Sequence, residues 1–374
     1  MEAGPDCFLD KPPMRELCRE LGLEDQLIGV RQGLGRSFIA RGKRLLTIPE
    51  GLYLMAPSAI RPFLRSSVIS PAGKLRMLLD LLIPARRNSD DESLGSFVRR
   101  RLGREALDRL AQPMIGGIYS ADPERLSLQA TMPQFLDMER RHGGVIRPLL
   151  RRHQQASGAR YNLFLTFRAG MQTLVDALAQ RLRDVRLNIR VDCLPAGFEA
   201  YCLCALVPGA LQSSPLNVPC SSMATINLGF RRDQVRHPLN GAGFVVPAIE
   251  GRSIVACTFS SQKFAGRAAP DRVLLRAFVG GMLGVRHYAA TDEAMLAAAL
   301  RDLDDLLGLK GQPDAVWINR LPHSMPQYEV GHLERVTQLE QSLPPNMAVA
   351  GNAHRGVGIP DCIAGGFAAA DRLA

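Results

Sequence analysis

The sequence predicts a mixed α/β fold, and three features of the chain lead to this prediction. Residues 347–373 contain a short apolar run, a glycine-rich segment and then apolar residues at helical spacing. Residues 57–155 have helical periodicity interrupted by prolines. Between residues 224 and 279, apolar and polar residues alternate as they do in strands. Periodicity alone indicates helices and strands but does not specify their arrangement.

The composition is that of a globular protein. The chain has 374 residues, 46% of them hydrophobic, and a mean hydropathy of −0.02. This length allows a sizeable core and about two domains. Because no run approaches the roughly eighteen apolar residues of a membrane span and no signal pattern begins the chain, we expect a cytoplasmic protein. Eight cysteines without regular spacing indicate reduced thiols.

The charge is strongly basic, with a formal net value of +10. Arginines and lysines are dense between Arg61 and Arg109, and apolar residues lie between them. Two interpretations stay open, namely a solvated basic face and contact with an anionic membrane surface. A nucleic-acid partner is not expected, because the sequence has no RRM, zinc-finger or helix-turn-helix signature.

The first half of the chain is predicted to be mainly helical. Leu174, Leu178 and Leu182 recur every four residues and therefore share one helix face. The predicted order is a helix at 14–21, strands around 36–46, helices within 57–155, a helix within 168–183 and a strand at 185–193.

The second half is predicted to form one mixed sheet with flanking helices. Alternation predicts strands at 224–230, 243–249, 253–259, 273–279 and 315–319. Helical spacing predicts helices at 292–307 and 331–343.

The tail is predicted to be a strand, a glycine loop and a helix. Pro360 suits the first turn of a helix because its missing N–H would be unpaired there anyway. Free backbone N–H groups at such a helix start suit a phosphate or the polar edge of an aromatic cofactor. An ordinary connection between a strand and a helix is the alternative.

The tail also carries a family resemblance. The run G-N-A-H-R-G-V-G-I-P-D-C-I, which begins at Gly351, resembles the C-terminal flavin-contacting motif of the oxygen-dependent protoporphyrinogen and coproporphyrinogen oxidases, which are amine-oxidase-like FAD flavoproteins. Further blocks match this family in the same order: G-P-D-C-F-L from Gly4, G-I-Y from Gly117, R-A-G-M-Q-T-L from Arg168, F-V-G-G from Phe278 and M-P-Q-Y from Met325.

The resemblance implies a discontinuous layout. Residues 1–54, 168–194 and 345–374 would form an incomplete FAD-binding Rossmann-like domain, 55–160 an inserted helical cap and 220–344 a mixed-sheet substrate domain. The G-x-G-x-x-G turn that opens the family occurs nowhere in this sequence, so we expect a chain truncated at its N-terminus relative to the family.

The resemblance also implies cofactor contacts. Cys7 stands where the family more often has serine, and His354, where it often has tyrosine, is interpreted as a surface residue. The FAD contacts carried over from the family are Gly4, Pro5, Asp6, Cys7, Val191, Gly351, Asn352, Val357, Gly358 and Ile359.

Substrate residues are implied in the same way. Phe278 would stack on a porphyrinogen ring, and Val245 and Thr258 would line its cavity. Arg36 or Arg41 would meet a substrate carboxylate. His332 is interpreted as a buried hydrogen-bonding residue rather than a base.

The function implied is an FAD-dependent porphyrinogen oxidase of haem biosynthesis, with O2 as electron acceptor and no catalytic side chain. Such chemistry belongs to the cofactor, while the protein places the substrate. A truncated, non-catalytic relative that binds porphyrin or a partner but not FAD is the main alternative, and a basic peripheral membrane protein is another. The resemblance favours a peripheral position on the inner face of the cell membrane. The porphyrinogen used, and whether the chain is a homodimer, stay open.

Overall fold

The computed structural model describes residues 1–34, 36–86, 88, 90–153, 163–189, 198–203 and 218–374. Its strands are β1 (Phe8–Leu9), β2 (Leu27–Gly29), β3 (Phe38–Arg41), β4 (Arg44–Thr47), β5 (Leu52–Tyr53), β6 (Ala56–Pro57), β7 (Phe164–Phe167), β8 (Tyr201–Leu203), β9 (Cys220–Arg231), β10 (Gly243–Val245), β11 (Ile254–Phe259), β12 (Arg272–Gly280), β13 (Ala315–Pro326) and β14 (Met347–Val349).

The helices are α1 (Pro12–Leu21), α2 (Ile60–Arg65), α3 (Pro71–Leu78), α4 (Leu94–Arg101), α5 (Arg104–Ala106), α6 (Gln112–Tyr119), α7 (Leu128–Thr131), α8 (Pro133–His142), α9 (Ile146–His153), α10 (Gln172–Arg181), α11 (Ser260–Lys263), α12 (Val285–Tyr288), α13 (Asp292–Leu307), α14 (His332–Ser342) and α15 (Ile359–Leu373). A π-helical turn at Leu107–Ala111 joins α5 to α6.

The chain divides into two compact units. Unit 1 comprises residues 1–29, 162–219 and 331–374, and unit 2 comprises residues 30–161 and 220–330. Residues 30–54, predicted with the cofactor side, fall in unit 2 because β3 pairs with β10. Residues 331–344, predicted with the substrate sheet, fall in unit 1 because α14 shares a small apolar cluster with β14.

Unit 2 is built on a seven-stranded sheet with the strand order β13-β9-β12-β11-β10-β3-β4. Neighbouring strands are antiparallel, except that β10 and β3 run parallel. Side chains alternate between the two faces, so one face collects the apolar residues of each strand. In β9 these are Ala224, Ile226, Leu228 and Phe230, which share a buried core with residues of α13. The alternate residues of β9 therefore lie on the opposite face.

The helical part of unit 2 contains a buried ion pair. Asp80 and Arg101 are 1% and 0% exposed, and Arg101 Nε donates to Asp80 Oδ1 at 2.6 Å. Asp80 Oδ2 accepts hydrogen bonds from the amides of Val145 and Ile146, both at 2.9 Å. Arg101 Nη2 donates to Gly143 O at 2.8 Å. The pair thus connects α4 to the turn after α3 and to the start of α9.

Unit 1 combines two small sheets with flanking helices. Strands β1, β7 and β2 form an antiparallel sheet, and β14 pairs in parallel with β8. Phe8, Met14, Phe167 and Leu174 are buried in one core that Ile359 of α15 also contacts. The parallel pair followed by α15 is the part of a Rossmann-like arrangement that the described residues contain.

Several predicted elements are confirmed and others are corrected. Helix α13 has the predicted bounds, and strands occur in each predicted segment of the sheet. Strand β10 ends at Val245 rather than 249, because a 3₁₀ turn at Ala248–Glu250 follows Pro247. Residues 185–189 form no strand, and the rest of that predicted strand lies outside the described residues. Among the described residues, none of the helices combines the length and the hydropathy that a membrane span requires.

The buried ion pair leads to a stability prediction. Asp80→Ala is expected to lower the free energy of unfolding by about 3–5 kcal/mol, because it removes the nearer counter-charge of buried Arg101 and leaves Glu139 Oε1, 3.5 Å from Arg101 Nη1, as the remaining carboxylate partner. Equilibrium denaturation in urea measures this change. The matched control is Glu124→Ala, since the side chains of the Arg99–Glu124 pair are 47% and 45% exposed. That substitution is expected to cost less than about 1 kcal/mol. Equal losses in the two variants would contradict the prediction.

Candidate functional site

The tail motif folds as a strand, a loop and a helix, as predicted. Strand β14 leads into a loop at residues 350–358, and α15 begins at Ile359 with Pro360 in its first turn. Within the loop, Ala353 and His354 are 2% and 4% exposed. The middle of the loop is therefore buried rather than projecting as a free connection.

Two glycines allow the loop to pack against the start of α15. A Cβ atom at Gly356 would lie 2.5 Å from Asp361 Cβ, and one at Gly358 would lie 2.9 Å from Asp361 Oδ2. Real Cβ atoms do not approach other atoms so closely, so a side chain at Gly356 would force the loop or the helix to move. Glycine is needed here for close approach of the backbone.

The backbone amides at the end of the loop are unused as hydrogen-bond donors within the described chain. Gly358 is the N-cap of α15 and provides no side-chain cap. Within the described chain, the backbone N–H groups of Val357, Gly358 and Ile359 donate no hydrogen bond. The helix start also concentrates a partial positive charge. Three predicted cofactor contacts thus present donors suited to the polar edge of a flavin or to an anionic group.

An ion pair connects the tail to the N-terminal segment. Lys11 Nζ lies 2.6 Å from Asp361 Oδ1. Lys11 is the N-cap of α1 and follows the predicted loop of Gly4, Pro5, Asp6 and Cys7. Asp361 therefore packs on the glycines of the tail while its carboxylate holds the segment that follows the other predicted cofactor loop.

The N-terminal loop itself is attached to a third part of unit 1. Glu2 Oε1 accepts a hydrogen bond from Met171 N at 2.8 Å, in the R-A-G-M-Q-T-L block. A Cβ at Gly4 would meet no atom within 4 Å, so the space beside this glycine is open. The structure brings three of the family-like blocks into one unit. Val191 lies outside the described residues, and its contact with FAD stays a prediction.

Two buried histidines support the tail loop. His332 is 0% exposed, and its Nε2 lies 2.7 Å from His354 O. Burial lowers the pKa of His332 to about 4 and also lowers the pKa of His354. Neutral His332 can donate to a carbonyl only through a protonated Nε2, so this bond specifies its tautomer. The role predicted for His332 is confirmed, whereas the interpretation of His354 as a surface residue is wrong.

Three predicted substrate residues lie on one face of the seven-stranded sheet. Val245 pairs with Ala256, Ala256 with Phe278 and Phe278 with Thr225, which makes one row across four strands. Thr258 is two residues along β11 from Ala256 and so faces the same side. This face is opposite to the apolar core of unit 2, which takes the alternate residues of the same strands. We call it the substrate face.

The substrate face also contains a cation that the sequence interpretation missed. Arg276 pairs with Thr258 on one side and with Asn227 on the other. Its side chain is 3% exposed, and its guanidinium carbon lies 5.1 Å from the centroid of the Phe278 ring. The spacing i, i+2 from Phe278 could have identified it, because residues two apart in a strand share a face.

The two basic residues proposed for the substrate carboxylate do not lie beside Phe278. Arg36 is exposed and precedes β3, and its carbonyl accepts a hydrogen bond from Ala242 N at 2.9 Å. Arg41 ends β3 two residues after Ile39, which pairs with Val245, so it lies on the substrate face. Its Nη1 donates to Ser67 O at 2.6 Å. Neither belongs to the row that contains Phe278, and the role of Arg36 stays a prediction.

Comparison with known proteins identifies the family. The family model for flavin-containing amine oxidoreductases matches residues 1–196 and 198–374. The chain belongs to this family. It is therefore a flavin-dependent oxidoreductase, and the predicted FAD cofactor is confirmed.

Individual relatives and a solved structure agree with this membership. The chain is 32% identical to the coproporphyrinogen III oxidase of Staphylococcus aureus, over 100% of this chain and 88% of that protein. It is 26% identical to the mitochondrial protoporphyrinogen oxidase of Nicotiana tabacum, over 89% of this chain and 78% of that protein. A solved Exiguobacterium structure, assigned as a protoporphyrinogen oxidase, aligns with a TM-score of 0.86 and 28% identity, covering 100% of this chain and 88% of that one. The predicted fold class is thus confirmed.

The residues of the tail fit a flavin. Glycines 356 and 358 bring the backbone close to α15, and the amides of Val357, Gly358 and Ile359 donate to nothing else in the described chain. The three amides would hold the cofactor by donating backbone hydrogen bonds. Such bonds do not depend on which side chain each residue carries. The individual contacts of Gly351 and Asn352 stay predictions.

The close packing at Gly356 leads to a second prediction. Gly356→Ala is expected to lower the flavin content of the purified protein at least about tenfold, because the added Cβ displaces the amides that follow. Visible flavin absorption relative to protein absorption measures the occupancy.

A matched control uses the same substitution in α15. A Cβ at Gly365 would meet no atom within 4 Å. Gly365→Ala is therefore expected to keep the flavin and to raise stability by about 0.5–1 kcal/mol, because alanine favours the helix. Full flavin occupancy in Gly356→Ala would show that the loop does not need this close approach.

Proposed function

We propose that this chain oxidises coproporphyrinogen III to coproporphyrin III, with FAD as cofactor and O2 as electron acceptor, in haem biosynthesis. The observation that carries the proposal is the full-length similarity to a coproporphyrinogen III oxidase, at 32% identity, compared with 26% for a protoporphyrinogen oxidase. The substrate face, with an aromatic ring beside a guanidinium, suits a macrocycle that bears carboxylates.

In this proposal, FAD carries out the oxidation and the protein positions the cofactor and the substrate. FAD supplies the redox chemistry: the porphyrinogen loses six hydrogens in three two-electron steps, and each step converts one O2 to H2O2. The chain's contribution is placement. The amides of Val357, Gly358 and Ile359 would hold the cofactor, and Phe278 would pack on the substrate ring with Val245 and Thr258 beside it. None of these roles needs a general acid or base.

The activity is tested with the purified chain. We expect a bound flavin, or binding of added FAD, and the conversion of coproporphyrinogen III to fluorescent coproporphyrin with three H2O2 formed per porphyrin. A matched reaction without O2 should form no peroxide. If the chain binds no FAD and forms no porphyrin above the spontaneous rate, the proposal is wrong, and the non-catalytic relative becomes the better interpretation.

A peripheral membrane position is the second part of the proposal. Leu64, Leu75 and Leu82 are 49%, 66% and 80% exposed in and after α2 and α3. Lys74 Nζ donates to Leu64 O at 2.7 Å, so the two helices are adjacent. Exposed Arg61 adds positive charge on α2. Exposed leucines beside basic residues favour the surface of an anionic bilayer, as on the inner face of a cell membrane.

Vesicle sedimentation tests this position. The protein is expected to sediment with vesicles that contain phosphatidylglycerol, and the double variant Leu75→Ser/Leu82→Ser should lower the bound fraction several-fold, because it removes the apolar contacts. Leu178→Ser is the control, since this leucine is 37% exposed on α10 of unit 1. Equal binding of all three proteins, or no binding by the unaltered chain, would contradict a membrane contact through these helices.

A further inference from the structure

We propose that Arg276 determines substrate specificity: its guanidinium binds a propionate and thereby favours coproporphyrinogen over protoporphyrinogen. This inference rests on the proposed function and deepens it. Coproporphyrinogen carries a propionate on each of its four pyrrole rings, whereas protoporphyrinogen carries propionates on two rings and vinyl groups on the others. A cation beside the macrocycle can therefore distinguish the two substrates.

Arg276 and Phe278 occupy neighbouring rows of the substrate face. Arg276 and Phe278 are two residues apart in β12, so both side chains lie on the substrate face. Phe278 belongs to the row with Val245 and Ala256, and Arg276 belongs to the next row with Thr258. Neighbouring rows on one face are separated by roughly 7 Å along the strand. A ring packed on Phe278 would therefore have its nearest substituents at the row of Arg276.

The guanidinium of Arg276 is buried and lies beside the Phe278 ring. Its carbon lies 5.1 Å from the centroid of the Phe278 ring, and the side chain is 3% exposed. A guanidinium remains charged under all physiological conditions and offers a planar pair of donors to a carboxylate. In a buried setting, such a charge-assisted hydrogen bond is stronger than the same contact in water.

The residues paired with Arg276 across the sheet are polar. The cross-strand neighbours of Arg276 are Thr258 and Asn227, which are both uncharged. Asn227 and Thr225 are 1% and 2% exposed, so this part of the face is polar as well as buried. A vinyl group placed here would meet polar atoms and a charge, whereas a propionate would bind them. A site built for hydrogen bonding discriminates strongly against a ligand that lacks the bonding group.

Arg276 differs from Arg36 and Arg41 in burial and in position. Arg36 is exposed and outside the sheet, and Arg41 lies in β3, which β11 and β10 separate from β12. Neither shares a row with Phe278 or Arg276. Among these three arginines, Arg276 is the one that combines deep burial with contact to the predicted stacking ring.

The experiment compares Arg276→Gln and Arg276→Lys with the unaltered enzyme on both porphyrinogens. For Arg276→Gln, KM for coproporphyrinogen III should rise about tenfold or more with little change in kcat, because a ground-state carboxylate contact is lost. The ratio of kcat/KM for coproporphyrinogen to that for protoporphyrinogen should fall by a similar factor. Arg276→Lys should retain part of the preference, because it keeps the charge but loses the planar pair of donors.

The control variant is Arg272→Gln, an arginine of the same strand whose side chain is 44% exposed and paired with Asp314. Its substrate ratio should not change. Flavin content and melting temperature of every variant separate a specificity effect from a folding defect. An unchanged substrate ratio in Arg276→Gln, or an equal loss with both substrates, would overturn the proposal.

A binding measurement keeps this test independent of turnover. Quenching of porphyrin fluorescence gives the affinity for coproporphyrin and for protoporphyrin without catalysis. If the unaltered chain oxidises neither porphyrinogen, the proposed function fails. The proposal for Arg276 is still supported if Arg276→Gln weakens coproporphyrin binding selectively, and it is overturned if both affinities change equally.

Discussion

The register of the seven-stranded sheet is the constraint on which the rest of unit 2 depends. Apolar residues at alternate positions of β9 to β12 are buried with α13, and this burial specifies which side chains face the other way. A slip of one residue would exchange the two faces and place Arg276 and Asn227 in the apolar core. The cost of burying such groups without partners excludes that alternative. Phe278 and Arg276 therefore reach the substrate face as a consequence of core formation.

Unit 1 contributes a different kind of site, made mainly of backbone. Glycines 356 and 358 let the tail pass close to Asp361, which in turn binds Lys11. The amides of Val357, Gly358 and Ile359 then remain as donors because no residue of the described chain accepts from them. A site of this kind places a cofactor that carries out the chemistry itself.

The many arginines of the helical part of unit 2 have two distinct roles. Arg101 is buried and bonded to Asp80, and Arg100 donates to Glu139 at 2.6 Å, so these cations hold helices together. Arg61 is exposed beside exposed leucines and is available to an anionic surface. The basic composition seen in the sequence is thus partly structural, and only the exposed part bears on membrane contact.

The sequence by itself determined the local features: the strand, glycine loop and helix of the tail, the bounds of α13, and the alternation of the sheet. These follow from short-range preferences and periodicity, and several motifs in one order identified the flavoprotein family. Only the tertiary structure decided that His354 is buried, that Lys11 binds Asp361, and that Arg276 rather than Arg36 accompanies Phe278. Such facts depend on contacts between distant segments, and periodicity within one segment does not specify the segment that packs against it.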